Sequence, residues 1–466
     1  MLHPQLQATG TQRDAPLASA PSGPVHSHRA VRARAALVRD RARCSLRRRI
    51  TTCIGALAAV VCLASPAAAS AEPQLPSADP FYSPPAEFAA AAPGTVLRTR
   101  SVTFVLRGVP EPVTATQVLY RTTNQLRGPA VTVATVLIPQ VATGNIVSYQ
   151  EAYDDLGGSC DPSYTLQGGN SGETVATVEH GVISSLLAAG DIVVDSDYEG
   201  ENLAYGAGQQ SGYQALDGIR AAEHLLELNA STTPVGMMGY SGGSIASEYG
   251  AELAPTYAPE LDFVGTAIGG IPVDFAHNLP YINGSPSYSD VMPAIFVGLG
   301  RGFEININRY LSPLGEQLTA QDSDKCIASY LGSRPGLTYQ ELLKPRYQNI
   351  FAVPVFVRIL NRLTMSYTGT PKQPLYMAVG NSDGTGDTVM VTGDVEGLAH
   401  VYCQRGVSVE FQEYQKLAHG EAGARFFPTA VEWLTQRFAG VAATNGCSSI
   451  GSGNSLALLP RPKRTG

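Results

Sequence analysis

The chain has 466 residues, 44% hydrophobic and 15% charged, with a formal net charge of −7. That length allows a large core, and the composition is that of an ordinary globular protein. Residues 1–71 hold ten Arg and two acids, so the remainder carries 22 basic against 37 acidic residues, a net −15, which argues against a nucleic-acid partner.

Residues 1–71 read as a leader outside the fold. The first 49 residues are rich in Ala, Arg and Pro and end in Arg47-Arg48-Arg49. An apolar run follows from Cys53 to Leu63, and then Pro66-Ala67-Ala68-Ala69-Ser70-Ala71. A charged stretch, an apolar run and an A-x-A site predict a secretory signal cleaved after Ala71. The apolar run is short for a membrane-spanning helix. Val60-Val61 before Cys62 lacks the small residue that a lipoprotein site needs. The long charged stretch leaves open a start downstream of Met1, or twin-arginine export.

Of seven Cys, four follow the leader: Cys160, Cys326, Cys403 and Cys447. In an exported chain they predict two disulfides, with three possible pairings. No C-x-x-C and no Cys/His cluster at zinc spacing is present, so neither a metal nor a cofactor is expected.

Residues 72–100 are Pro- and Ala-rich and predict an extended arm, anchored at Pro80-Phe81-Tyr82. Three β-type runs start at Ser101, Val113 and Val131, and predict antiparallel strands at the edge of a sheet. A buried strand at 145–150 then leads into the polar loop Glu151-Ala-Tyr-Asp154-Asp155-Leu-Gly-Gly-Ser-Cys160. A helix over 175–189, a strand at 191–195 and an amphipathic helix over 212–229 follow. Next come the stretch around Ser241 and a strand beginning at Phe263.

After Pro272 the alternation stops. Residues 276–370 mix helical pieces, Gly/Pro breaks and apolar faces, and predict a cap inserted into one domain. The rhythm resumes with a strand from Pro374, a helix over 388–404, a strand from Val407 and a helix over 422–439. The expected organisation is a core over 72–275 and 371–447, the cap between, and a disordered tail over 448–466. The fold class is α/β, a mostly parallel sheet covered by helices on both faces.

The chemistry centres on Pro234-Val-Gly-Met-Met-Gly239-Tyr240-Ser241-Gly242-Gly243-Ser244. A short apolar strand turns sharply through G-x-S-x-G into a helix, the form of a nucleophile elbow. Gly239 and Gly243 lack the Cβ that would collide with the neighbouring strand and helix. The turn aims the Gly242 N–H where an oxyanion would form. A serine nucleophile needs a base, and the base an orienting carboxylate, in the chain order Ser, acid, His. Three His follow Ser241. His277 comes too early, and His400 falls inside a predicted helix. His419 follows a strand and precedes the last helix, where this order places the base. The acid should follow the strand ending at Gly380, where Asp383 and Asp387 are equal candidates by position. Either suits a turn, and Asp387 also suits a helix cap.

These stretches resemble the secretory lipases similar to Candida antarctica lipase A, over most of 80–440. The carriers are Ser148-Tyr-Gln with Asp154, Cys160-Asp-Pro-Ser-Tyr164, and Asp197-Tyr-Glu-Gly200 with Asp217-Gly-Ile-Arg-Ala. They continue with Gly239-Tyr-Ser-Gly-Gly243 and the spacing from Asp387 through Cys403 to His419. The resemblance implies the α/β-hydrolase fold and a triad of Ser241, Asp387 and His419. It also implies an oxyanion hole from the N–H groups of Gly242 and Asp154, although the residues alone hardly separate Asp154 from Asp155, and either suits a solvated loop. It implies a Cys160–Cys326 disulfide too, which leaves Cys403 with Cys447. Gly384-Thr-Gly-Asp-Thr-Val-Met departs from the compact Asp-Glu-x-Val-Pro of the yeast-type enzymes.

The expected function is hydrolysis of carboxylic esters by an exported lipase. It would be a monomer working on lipid or ester substrates, at a lipid interface. The alternatives are a short-chain carboxylesterase, an acyltransferase, a serine peptidase, or a lipid-binding protein without chemistry. No site for a peptide N-terminus is visible, and the intact Ser, Asp, His order speaks against the last.

Overall fold

The computed structural model describes residues 72–170 and 172–462; the predicted leader lies outside them. Three antiparallel strands come first: β1 (Val96–Val102), β2 (Thr114–Thr123) and β3 (Pro129–Ile138). Six more follow: β4 (Ile146–Gln150), β5 (Ile192–Ser196), β6 (Pro234–Tyr240), β7 (Asp262–Gly269), β8 (Leu375–Asn381) and β9 (Val409–Gln415). They make one nine-stranded sheet in the order β1-β2-β3-β5-β4-β6-β7-β8-β9. It is antiparallel up to the β3–β5 pair and parallel from β5 to β9. The parallel strands need helical crossovers, so β4 and β5 are buried along their whole length.

The crossovers are α1 (Thr174–Ala189), α2 (Gly208–Leu225) and α3 (Gly242–Tyr257). Between the paired neighbours β7 and β8 the chain leaves the sheet and builds α4 (Phe275–Ile282), α5 (Val291–Gly302), α6 (Pro313–Asp322) and α7 (Pro354–Leu363). Their apolar residues, among them Leu279, Ile295, Phe356 and Leu360, join the same buried cluster as Ile245 and Ile271 below the sheet's end. The chain closes with α8 (Thr392–Gln404) and α9 (His419–Phe438). Among the described residues, no helix is long and apolar enough to cross a membrane.

Three expectations change. The segment 72–100 is not one extended arm: it makes short 3-10 turns and then enters the sheet as β1. Arg98 donates to Pro80 O at 2.8 Å, the Arg100 guanidinium lies 4.2 Å from the Phe81 ring centroid, and Tyr82 Oη lies 2.8 Å from Ser163 Oγ. Second, the run starting at Ser101 is not one strand: it crosses the end of β1 and a small hairpin at Val105–Leu106 and Val109–Pro110. Third, the tail is not disordered across 448–462. Leu456 is buried, and Asn361 Nδ2 donates to Leu459 O at 2.9 Å while its Oδ1 accepts the Leu459 N–H at 2.8 Å. Asn454 N–H donates to Gly393 O at 2.7 Å. A Gly/Ser-rich segment cannot pair its own backbone, but here the body of the protein supplies the partners.

Candidate active site

The turn after β6 sets Ser241 at φ 53° and ψ −122°. Such a backbone costs about 1–3 kcal/mol and persists only where its surroundings hold it. Here the Ser241 N–H donates to Gly269 O at 2.9 Å, and the Ser244 N–H to Ser241 O at 3.0 Å. A Cβ on Gly239 would lie 2.4 Å from Gly243 O, and one on Gly243 would lie 2.0 Å from Gln150 O. Both obstacles are backbone atoms, which cannot swing aside.

His419 is the first residue of α9 rather than part of the loop before it. Its Nε2 lies 2.8 Å from Ser241 Oγ, and its Nδ1 lies 2.8 Å from Asp387 Oδ2. A carboxylate only accepts, so Nδ1 carries the proton and Nε2 is free to accept the Ser241 O–H. The backbone reinforces the pair, because the His419 N–H donates to Asp387 O at 2.7 Å. Asp387 is fully buried, and its Oδ1 accepts the N–H groups of Val389 (3.0 Å) and Met390 (2.7 Å). It sits in a tight turn and caps no helix; α8 begins only at Thr392.

The competing residues lie elsewhere. Asp383 is exposed and accepts from Thr385 N–H, Gly386 N–H and the Tyr281 hydroxyl. Burial works against it, but those three donors together hold its carboxyl below the ordinary range. His400 bonds Gln404 on the surface of α8, and His277 bonds Asp394 at 2.9 Å.

Asp154 stands opposite the elbow, at φ 42°. Among the described residues, neither its N–H nor that of Gly242 donates to a protein acceptor. The segment between β7 and β8 fixes this loop. Tyr330 O–H donates to Asp154 O (2.7 Å), Ile327 N–H to Asp155 Oδ1 (2.7 Å), and Leu156 N–H to Lys325 O (3.1 Å). Beside them is the disulfide Cys160–Cys326, and a second joins Cys403 to Cys447. The Asp154 carboxyl lies over the Gly242 Cα: a Cβ there would be 1.5 Å from Oδ1. Oδ1 is buried without a partner among the described residues. Burial pushes this carboxyl up to about 7, with the His419 charge pulling the other way.

The space above Ser241 is walled by side chains of α4 and α5, among them Phe275, Leu279, Ile282, Val291 and Ile295. The potential metal ligands that cluster among the described residues are Asp155, Cys160 and Cys326. Both sulfurs are in the disulfide, so no thiolate is on offer.

Sequence reasoning missed several supports. Tyr240, the x of G-x-S-x-G, donates its O–H to His419 O at 2.6 Å and lays its ring 5.0 Å from the imidazole. Its place beside the nucleophile was the available signal. Tyr281 of α4 accepts the Thr388 N–H at 3.0 Å and so braces the turn that carries Asp387. Nothing near it in sequence marks that role.

Buried acids lie beneath this loop and elsewhere in the core. Glu179 accepts Tyr149 O–H (3.0 Å) and Ala152 N–H (3.1 Å) beneath it. Burial raises Asp197 to about 7 against two bonds from Ser163, and Asp217 to about 6 against Tyr257, Thr122 and Arg220. Asp154, Asp197 and Asp217 keep their protons in the fold to about pH 6–7, whereas the unfolded chain sheds them near pH 4. Their contribution to stability is whole below about pH 4 and is lost as pH rises through about 7. A Tm measured at pH about 5 should therefore exceed that at pH about 8. An unchanged or higher Tm at the alkaline value would show that these carboxyls ionise freely in the fold.

A family model described as "Secretory lipase" matches residues 166–446. A probable inactive lipase of Mycobacterium tuberculosis (strain CDC 1551 / Oshkosh) is 35% identical, covering 80% of this chain and 84% of that one. Lipase A of Arthroderma benhamiae (strain ATCC MYA-4681 / CBS 112371) is 32% identical, covering 80% and 82%. Candida antarctica lipase A in its closed state superposes with a TM-score of 0.76 at 28% identity, covering 84% of this chain and 92% of that one.

Proposed function

The chain belongs to the secretory lipase family and is a carboxylic ester hydrolase, and we propose that it is exported and cleaves long-chain acyl esters at Ser241. The observation that carries this is the unbroken series Ser241 Oγ–His419 Nε2–His419 Nδ1–Asp387 Oδ2, each contact 2.8 Å long.

In this reading Ser241 Oγ attacks the ester carbonyl carbon as its proton passes to His419 Nε2. Asp387 stabilises the imidazolium and holds the tautomer. The carbonyl oxygen becomes an oxyanion, received by the N–H groups of Gly242 and Asp154. Typically one such donor is worth about 2.7–4 kcal/mol in the transition state. The C–O bond to the alcohol then breaks, and His419 gives the departing oxygen its proton. Water enters, loses a proton to His419, and frees the acid from the acyl-serine.

Long acyl chains are favoured by the apolar walls that the cap sets above Ser241. Export is favoured by the leader's A-x-A site and by four Cys placed in two disulfides. The second reading, a protein of this fold without turnover, has the mycobacterial relative's description in its favour.

A series of p-nitrophenyl esters from acetate to palmitate tests both. We expect kcat/KM to rise with chain length. A maximum at acetate would make the cap a cover rather than an acyl site. Rates no higher than those of buffer across the series would sink the hydrolase reading and leave the second.

A further inference from the structure

We propose that the outer side of α7 and the turn between β2 and β3 form a docking surface for lipid bearing anionic head groups. Arg358 and Arg362 stand one helical turn apart on α7 and share an open groove with Arg127 of the β2–β3 turn. Leu126, Phe303 and Val355 line the same groove. All three arginines are exposed. Ion pairs of Arg or Lys among the described residues involve Arg100, Arg220, Lys325 and Arg334, and none of these three. Beside the groove residues Phe303 and Ile305 in sequence stands one acid, Glu304.

Charge is segregated towards this place. Residues 342–382 hold five bases and no acid, and no acid follows Glu432. The C-terminal stretch passes here as well: Asn361, on the groove wall, holds Leu459 by two hydrogen bonds, and Arg461 follows two residues later. After removal of the leader the chain has a net −15, so an unpaired positive patch is out of character with the rest of the surface.

Charge alone would suit any polyanion. The apolar side chains choose among them: Leu126 is 49% exposed and Leu458, next to the held Leu459, is 42% exposed. Exposed leucines beside unpaired arginines fit the boundary between head groups and acyl chains, where each group keeps its preferred surroundings. The position is apt. The inner face of α7, through Phe356, Ile359 and Leu360, walls an apolar cavity that shares Leu279 and Ile295 with the space above Ser241. Ile305 and Ile359 wall both that cavity and the groove. Lipid held on the groove therefore lies against the outer wall of the apolar cavity that adjoins the proposed acyl site. The use of the surface rests on the lipase reading; the binding does not.

The test is co-sedimentation of the Ser241→Ala protein with vesicles of phosphatidylcholine, alone or mixed with phosphatidylglycerol. It is compared with the same protein carrying Arg127→Gln, Arg358→Gln and Arg362→Gln. Without turnover, failure of the hydrolase reading cannot disturb the result. Each arginine near an anionic surface contributes about fivefold in affinity, so the triple change should weaken binding to the mixed vesicles about a hundredfold. Raising salt from about 0.15 to about 0.5 M should release the unaltered protein. A circular dichroism spectrum and a Tm of the triple variant that match those of its Ser241→Ala parent report that the fold survives. Equal binding to neutral and mixed vesicles, or equal binding by the triple variant, overturns the proposal.

Discussion

Replacing Ser241 by Ala is expected to lower kcat about 10⁶-fold, and Asp387→Asn about 10⁴-fold, on a soluble p-nitrophenyl ester. The two losses differ for a physical reason. Without Ser241 Oγ no acyl-enzyme forms, whatever the base does. In the Asp387→Asn variant the nucleophile and base remain, but an amide N–H facing Nδ1 favours the tautomer whose proton sits on Nε2, where the Ser241 proton must go. The control is Asp383→Asn. Asp383 is exposed and bonded to Tyr281 rather than to His419. An amide oxygen there still accepts the Thr385 and Gly386 N–H groups, so the loss should stay below about tenfold. Steady-state kinetics and a folding check by circular dichroism decide it. A crippled Asp383→Asn with a near-normal Asp387→Asn would exchange the roles of the two acids and contradict the hydrogen-bond chain.

That pair shows what was legible in the sequence. The elbow was, because a strand, a strained serine and obligate glycines must be contiguous to make that turn. The place of His419 was, because the proposed base falls between a strand and a helix in fixed order. The acid was not, because Asp383 and Asp387 are four residues apart in one Gly-rich turn, and only burial and two backbone N–H bonds separate them. The resemblance tipped the choice where local pattern could not. The sheet was read from β-branched runs and its crossovers from helical spacing. The tail misled for the opposite reason: Gly and Ser report a segment's own lack of order, whereas Asn361, Tyr367 and Gly393, distant in sequence, hold it. Tyr281 and Tyr330 were invisible on the same ground, since each acts on a loop more than 100 residues away.

Replacing Gly242 by Ala should cost about 10²–10³ in kcat, or more, by spoiling the oxyanion hole from both sides. The added methyl would sit 1.5 Å from Asp154 Oδ1, so the buried carboxyl must swing aside or one of the two donor-bearing segments must move. Tyr330, Ile327 and the Cys160–Cys326 disulfide restrain the Asp154 segment, so strain that the carboxyl cannot relieve falls on the elbow. Removing the obstacle should restore activity: Asp154→Gly clears the carboxyl, keeps the N–H, and suits a φ of 42°. The double variant should therefore exceed Gly242→Ala alone by at least about tenfold. The same carboxyl sets a pH limit. It is neutral below about pH 7, because burial raises it against the pull of His419. As pH rises through about 7 it ionises beside the developing oxyanion, and kcat/KM should fall. Asp154→Asn keeps the N–H and removes the titration, so its alkaline limb should level off. If the Asp154→Asn variant declines at alkaline pH like the unaltered protein, the Asp154 carboxyl does not ionise within reach of the reacting oxygen. If Asp154→Gly fails to rescue Gly242→Ala, the two N–H groups do not share one oxyanion.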